Sequence, residues 1–337
     1  MLGLLRKLRS AAALIHPRTS PWCLCKRIKY YARGLAFPAA TAEWFKILQN
    51  PALAVVVRHS PKLYQKLQRP YLTSHFHTPQ RLQSLRHHYQ FVVSHLAPGL
   101  LREIHSVAGK CLAALPAEGA GRHQLRLAAS RLDKEGELAI TLQNPEGLVM
   151  FTLTFSITRC EAGHREILIG GLQGNQSAND RDLIIVLTRR WHGLRPKALL
   201  LFAIQQLAAL WGVTRVRAVG DNTHIYRHWR QRKHLASSYD EWWLEAGGHL
   251  AGDGLFDLPA RFVPRDIAAL KTNKRPVYRR RYLMLAGLAD QFAISLGLPP
   301  ANPMTVPSRE TTRSSARSET CPRTPKAAPG RIQWEMP

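Results

Sequence analysis

The hydrophobic period of this chain changes at Ala117–Gly121, and that change decides what it can fold into. Before it, apolar residues recur at helical spacing. Thr78–Pro79 offers a threonine N-cap and a proline at the first helical position, followed by Leu82, Leu85, Tyr89, Val92, Val93 and Leu96. A second helix is expected after Pro98, carrying Leu101, Ile104, Val107, Ala108, Cys111 and Leu112. Beyond Gly121 the period is two: Leu125, Leu127 and Ala129, then Leu138, Ile140 and Leu142, alternate with polar residues. Asn144–Gly147 reads as a turn, LVMFTLTFSITRC as a third strand, and GHREILIGGLQ as a fourth, apolar enough to lie centrally. Antiparallel strands ending in a glycine-rich bend make the first half of an α+β sheet domain.

The second half reads as helix, strand and helix. Asp182 to Trp191 is expected to be helical, with a break near Gly193. Arg195–Pro196 opens a helix to about Trp211, stopped at Gly212 and apolar around most of its circumference, hence buried. Val213 to Val219 is a strand, and Asp221–Asn222 leads into a helical segment holding His224, His228 and Trp229. After a break at Leu258–Pro259, a long final helix runs from about Tyr278 to Leu296. The expected division is a basic amphipathic leader over residues 1–20, a helical region over 21–116, a core over 122–296, and a Pro-, Ser- and Arg-rich tail over 297–337, too poor in apolar residues to order itself.

Charge narrows the partners. Lys and Arg number 48 against 22 Asp and Glu, a formal net charge of +26, and Glu43 is the only acid before Glu103. Such a field draws polyanions: nucleic acid, an anionic membrane, or phosphorylated glycolipid. No motif of a common nucleic-acid module is present, which tilts the reading toward a membrane or glycolipid surface. No apolar run approaches the roughly 18 residues a membrane span needs. The uninterrupted apolar part of the leader, Ala11 to Ile15, is shorter than the apolar core of a typical signal peptide, roughly 7–15 residues. The expectation is a cytoplasmic protein, peripheral at the inner membrane through its leader. Five scattered cysteines fit reduced thiols, and Cys23 and Cys25 lack the further ligands of a zinc site.

Chemistry is suggested in three places. Gly170, Gly171 and Gly174 around Gln173 either let a ligand approach the main chain or simply make a tight turn. Arg195 and Lys197 flank Pro196 at a helix start, where cations are unfavourable unless an anion binds between them; Arg189 and Arg190 lie close in sequence. His224, with Asp221 to orient it, and Asp240 are candidates for moving protons, His224 alternatively capping a turn. No GxSxG, Walker or HExxH pattern occurs.

Together, the GGLQG turn, the LTRRWHGLRPKALLL block, DNTHIYRH, SSYDEWW, and LPARF followed by KRPVYRRRY resemble the VirK/YbjX family of bacterial proteins, over roughly Trp22 to Leu296. The resemblance implies an association with virulence and the cell envelope of Gram-negative bacteria, and carries no catalytic residues. The order of elements is also similar to the GNAT acetyltransferases, which implies a mainly antiparallel sheet with packed helices. In that comparison Gly171, Gln173, Gly174, Arg189, Arg195 and Lys197 would hold the pyrophosphate of acyl-CoA or a similar phosphate-bearing donor, and His224 or Asp240 would handle protons. This chain departs from that pattern by a loop and an extra helix, Asn175 to Gly193. The implied function is acyl or aminoacyl transfer to an anionic envelope component. The alternative is a non-enzymatic basic protein that docks on membrane or nucleic acid with a regulatory role.

Overall fold

Proline and alternation lay out the architecture between them. A computed structural model describes residues 2–18, 20–117, 119–160, 162–174, 181–226 and 238–299. Its helical N-terminal part comprises α1 (Leu2–Ile15), α2 (Pro21–Ala36), α3 (Pro38–Leu48), α4 (Ala54–His59), a 3-10 stretch at Pro61–Gln68, α5 (Thr78–His95) and α6 (Pro98–Ile104). Strands β1 (Lys110–Pro116), β2 (Arg122–Ala129), β3 (Leu138–Gln143), β4 (Val149–Arg159) and β5 (Arg165–Gly174) follow. Then come α7 (Arg181–Arg190), α8 (Pro196–Leu210), β6 (Arg215–Val219), α9 (Tyr239–Glu245), β7 (His249–Leu250), β8 (Leu255–Leu258) and α10 (Arg275–Leu296). Helices α2, α3, α5, α6, α8 and α10 all carry a proline at the first or second position, where its missing N–H costs nothing.

The strands form one α+β sheet in the order β1-β2-β3-β4-β5-β6-β8-β7, antiparallel throughout except for the parallel pair β5–β6. Strand β4 shows why its faces differ. Phe151, Leu153, Phe155 and Ile157 alternate with Thr152, Thr154, Ser156 and Thr158. Phe155 packs with Trp211 at the end of α8, an all-round apolar helix buried over most of its length. The polar row points the other way and hydrogen-bonds three groups that would otherwise be stranded: the Glu135 carboxylate, Tyr71 and the Glu166 carboxylate.

A buried ion pair ties the helical part to this polar face. Lys66 Nζ lies 2.7 Å from Glu137 Oε1, both side chains nearly inaccessible, and Tyr89 donates to Glu137 Oε2 at 2.5 Å. The Glu137 main chain donates to Ser156 Oγ at 3.0 Å. Burial opposes ionisation of Glu137, but Lys66, His88 and the hydrogen bonds outweigh it and hold the carboxyl below its usual range.

Several expectations are corrected. The helix after Pro98 stops at Ile104, and Cys111 and Leu112 lie in β1. Gly109 is the reason: it takes the left-handed conformation (φ +70°) with the Leu127 carbonyl 2.8 Å from where a Cβ would stand, so the chain turns and pairs with β2. The N-cap of α5 is His77, whose N–H donates to Gln80 Oε1 at 2.8 Å. Strands β7 and β8 are too short to show a period. The leader is α1, in which Leu8, Ala11 and Ala12 are buried against Tyr30 and Phe45 while Leu2, Leu5 and Leu14 are exposed. No helix among the described residues is long and apolar enough to cross a membrane. His228, Trp229 and the tail from Pro300 lie outside the described residues.

Replacing Lys66 by Met leaves Glu137 buried without its cation, at an expected cost of about 3–5 kcal/mol in urea denaturation. It also reverses a pH trend. In the native protein Glu137 adds stability above the ordinary carboxylate pKa and loses it as pH falls. In the variant burial alone pushes the carboxyl up, so stability falls as pH rises. Denaturation midpoints on either side of the ordinary carboxylate pKa distinguish the two.

Candidate active site

Strands β5 and β6 run side by side only over Glu166–Ile169 and Arg215–Ala218. Past that point β5 stays on β4 with an irregularity at Gly170, since Phe155 faces Ile169 while Thr154 faces Gly171. Two parallel strands thus part at their carboxyl ends, the position at which open sheets bind ligands. The parting is lined from two directions.

The first is the connection between β2 and β3, Glu135–Gly136–Glu137. A Cβ on Gly136 would stand 2.7 Å from the Phe155 nitrogen; one on Gly170 would collide with the Glu135 carbonyl, and one on Gly171 with the Glu135 carboxylate. The glycines of GGLQG are therefore needed by the chain's own close approach. Gly171, read as a cofactor contact, is buried and makes room for the Glu135 side chain. The second direction is α9. Tyr239 Oη accepts from Leu172 N on β5 at 3.1 Å, while Trp243 Nε1 donates to the Val219 carbonyl on β6 at 2.9 Å. One helix thus spans both diverging strands.

Between them lies His224. Tyr226 N donates to His224 Nδ1 at 3.3 Å, which assigns the proton of the neutral ring to Nε2. Nε2 is buried without a hydrogen-bond partner and points at Glu135 Oε1, 3.9 Å away. The ring stacks on Tyr239 with centroids 5.1 Å apart. Burial pushes His224 down to about 4 against the pull of Asp221, so it is neutral at physiological pH. Burial pushes Glu135 up to about 7, more than its one side-chain hydrogen bond, from Thr154 at 3.2 Å, can offset. Burial also keeps the Tyr239 phenol protonated, its pKa raised further by the nearby Glu135. A carboxyl poised near neutrality, a phenol locked in its acid form and a neutral imidazole share one small space.

Asp221 does not orient His224. Its carboxylate accepts from Tyr239 N at 2.8 Å and Ser238 Oγ at 2.7 Å, while its own N–H donates to Asp240 Oδ1 at 2.7 Å. Asp221 and Asp240 thus pin the start of α9, and with it Tyr239. Of the residues read as donor-binding, Gln173 is exposed and Gly174 ends β5. Arg189 is exposed near the end of α7. Arg195 is the N-cap of α8 and contacts Glu245 of α9 at 2.8 Å, both side chains 61% exposed. Lys197 is half-buried in the first turn of α8, and burial lowers its pKa. Glu135 was not legible as a site residue, because it sits in a short connection with no periodic signal. Tyr239 stood in an aromatic cluster that reads as packing. Among the described residues no three His, Cys, Asp or Glu side chains gather as a metal site.

Comparison with known proteins gives the family and no reaction. Residues 23–293 match a family described as a protein of unknown function, DUF535. The chain is 33% identical over 273 residues to "Uncharacterized protein YbjX" of Escherichia coli (strain K12), covering 79% of this chain and 82% of that one. It is 27% identical over 174 residues to an uncharacterized protein of Haemophilus influenzae (strain ATCC 51907 / DSM 11121 / KW20 / Rd), covering 51% of this chain and 56% of that protein. The resemblance to the YbjX proteins is borne out over nearly the span from which it was read.

Glu135 makes stability depend on pH in a particular direction. Its folded pKa lies above its unfolded one, so the folded state holds the extra proton and stability falls as pH rises from about 4.5 to 7, by about 3 kcal/mol from this group. Glu135→Gln should flatten that slope and be the more stable protein at pH 8. Urea titrations of both across this window check it; parallel curves would show that Glu135 titrates as an ordinary carboxylate.

Proposed function

The chain belongs to the DUF535 family together with YbjX, and from its geometry we propose that it is a group transferase, moving an acyl or aminoacyl group from a phosphate-bearing donor such as acyl-CoA to an amine or hydroxyl of an anionic envelope component. The observation that carries the reading is the meeting of Glu135 and Tyr239 at the buried His224 ring, where β5 and β6 part. Support also comes from the sheet. Antiparallel strands, then one parallel pair parting at an irregularity, with a helix starting beside it, is the order of the GNAT acetyltransferases, with α7 inserted. Fold likeness alone carries no activity.

The acid and base roles follow from the environments. Glu135, ionised in part at neutral pH, takes the proton of the attacking amine or hydroxyl as the new bond to the acyl carbon forms. The bond from that carbon to the donor's leaving atom breaks, and the leaving atom takes the Tyr239 proton. The neutral His224 Nε2–H is a donor available to a developing oxyanion. Gln173, Gly174, Lys197 and Arg189 would line the path of the donor phosphates. Arg195 would reach them by leaving Glu245, an exposed pair whose loss costs at most about 1 kcal/mol.

Isothermal titration with acyl-CoAs, followed by transfer assays, tests this. Arg195→Ala should weaken donor binding about tenfold, one charge-assisted contact being worth about 1.5 kcal/mol. Glu135→Gln should cut turnover about a hundredfold or more with donor affinity kept, and the native kcat/KM should rise with pH through about 7. No saturable binding of any acyl-CoA, with Arg195→Ala indistinguishable from native, would sink the transferase. It would leave the non-enzymatic docking reading, which the net charge of +26 favours.

A further inference from the structure

Helix α2 distributes its charge against the usual rule. Spaced by three and four residues, Lys26, Lys29 and Arg33 share one sector of the helix with the buried Tyr30. The exposed Leu24, Ile28 and Leu35 lie about 150° away around the axis. An ordinary amphipathic helix turns leucine and isoleucine toward the protein and lysine toward water. Here three apolar residues face solvent, while the cationic flank lines a cavity. The helix contains no acid at all.

The opposite wall of that cavity is the 3-10 stretch Pro61–Gln68. Three residues per turn put Lys62, Gln65 and Gln68 on one side of it, and all three line the cavity; Lys66 turns inward to Glu137. Two elements thus bring Lys26, Lys29, Arg33 and Lys62 around one space of about 500 Å³, which no aspartate or glutamate lines. Arg69, at its edge, is held by Asp133, and Lys26 Nζ lies 3.2 Å from the centroid of the Trp22 ring. Among the described residues no carboxylate pairs with Lys29, Arg33 or Lys62. Burial, and then Lys26 and Arg27, hold the neighbouring His16 below its usual range. Like charges on facing walls repel one another, and an anion between them turns that repulsion into attraction.

We propose that the cavity between α2 and the 3-10 stretch binds a small soluble molecule carrying a diphosphate or triphosphate group. Its volume is that of a small-molecule site and exceeds what a single phosphate fills. The Arg33 guanidinium can grip two phosphate oxygens at once, the lysines act as point charges, and the amides of Gln65 and Gln68 can donate beside them. A membrane meeting the exposed Leu24, Ile28 and Leu35 would approach the other flank of α2 and would not reach these cations. The site is separate from the parted strands β5 and β6, and the inference does not depend on the transfer chemistry.

Isothermal titration of the full-length protein with sodium tripolyphosphate, at an ionic strength held constant with sodium chloride, tests the idea. Native protein should show saturable binding. Lys29→Ser with Arg33→Ser should weaken it about a hundredfold, a factor of about ten for each charge-assisted contact. Lys62→Ser, from the facing wall, should weaken it about tenfold. Ile28→Ser with Leu35→Ser should bind as native protein does, and Arg279→Ser with Arg280→Ser on α10 should differ little. Absence of saturable binding, or equal losses from the α2 and α10 cation pairs, would overturn the proposal in favour of a diffuse field. Loss in Arg195→Ala with the α2 pair unaffected would move the anion to α8 and overturn it as well. Phosphatidic acid vesicles that bind more tightly at equal phosphate concentration, and are lost in the Ile28 and Leu35 variant, would assign the affinity to a lipid surface instead. A single-stranded oligonucleotide that binds more tightly on the same basis, and is lost in the α2 cation pair, would assign the cavity to nucleic acid. Melting temperatures show that the variants are folded, since every altered side chain is exposed.

Discussion

The structure depends on the polar row of β4. A sheet that is apolar on both faces could pack helices on both, but it could not take carboxylates inside. Thr154, Ser156 and Thr158 let this one hold Glu135, Glu137 and Glu166 beneath the N-terminal part of the chain. Each carboxylate is settled differently. Glu137 has a cation and two further groups and remains ionised. Glu166 has Thr158 and two arginines near it, yet burial still raises its pKa. Glu135 has Thr154 and little else. Three like groups under one strand thus span the range from fixed charge to titratable acid, and only the least supported has the properties of a proton carrier.

The same contrast explains the surface. Acids are scarce in this protein, and several of the 22 are spent inside or on paired arginines, such as Asp253 and Asp257 with Arg217 and Arg215. The outside is left with cations that have few partners. On α2 the exposed Leu24, Ile28 and Leu35 lie on one flank of the helix, and the exposed Lys29 and Arg33 lie on the other. Charge alone explains affinity for polyanions.

Much of the fold was legible, for stated reasons. Strands β2 to β5 and helices α5, α8 and α10 show in the sequence because their periods run long enough to be counted. Strands β1, β7 and β8 do not. The first sits where the helical spacing of apolar residues continues and is decided by Gly109, while the other two contain too few residues. The site was half legible. Gly170 and Gly171 signal that something comes close to the main chain there, but whether a ligand or another stretch of the same chain is a three-dimensional fact. Here it is Glu135, some 35 residues earlier, whose own segment has no period and no motif. Asp221 and His224 lie near each other in sequence and suggest a dyad; the turn between them sends the Asp221 carboxylate to α9 instead.

That last contact makes α9 a structural part of any chemistry at the parted strands. Tyr239 reaches Leu172 only because Asp221, Ser238 and Asp240 fix the first turn of a seven-residue helix, and carboxylates at that end also suit its dipole. Trp243, one turn later, ties the same helix to β6. A phenol held this way cannot drift from the strand without breaking the cap, so its position is set before any substrate arrives. Glu135 is fixed from the opposite side by the interlocked glycines, which tolerate no added Cβ. An acid and a base held independently, on connections far apart in sequence and meeting at a buried imidazole, are an arrangement that packing alone does not require. An apolar pair would fill the same space without the cost of hiding a carboxyl. That uncompensated cost is the physical reason to look for chemistry here.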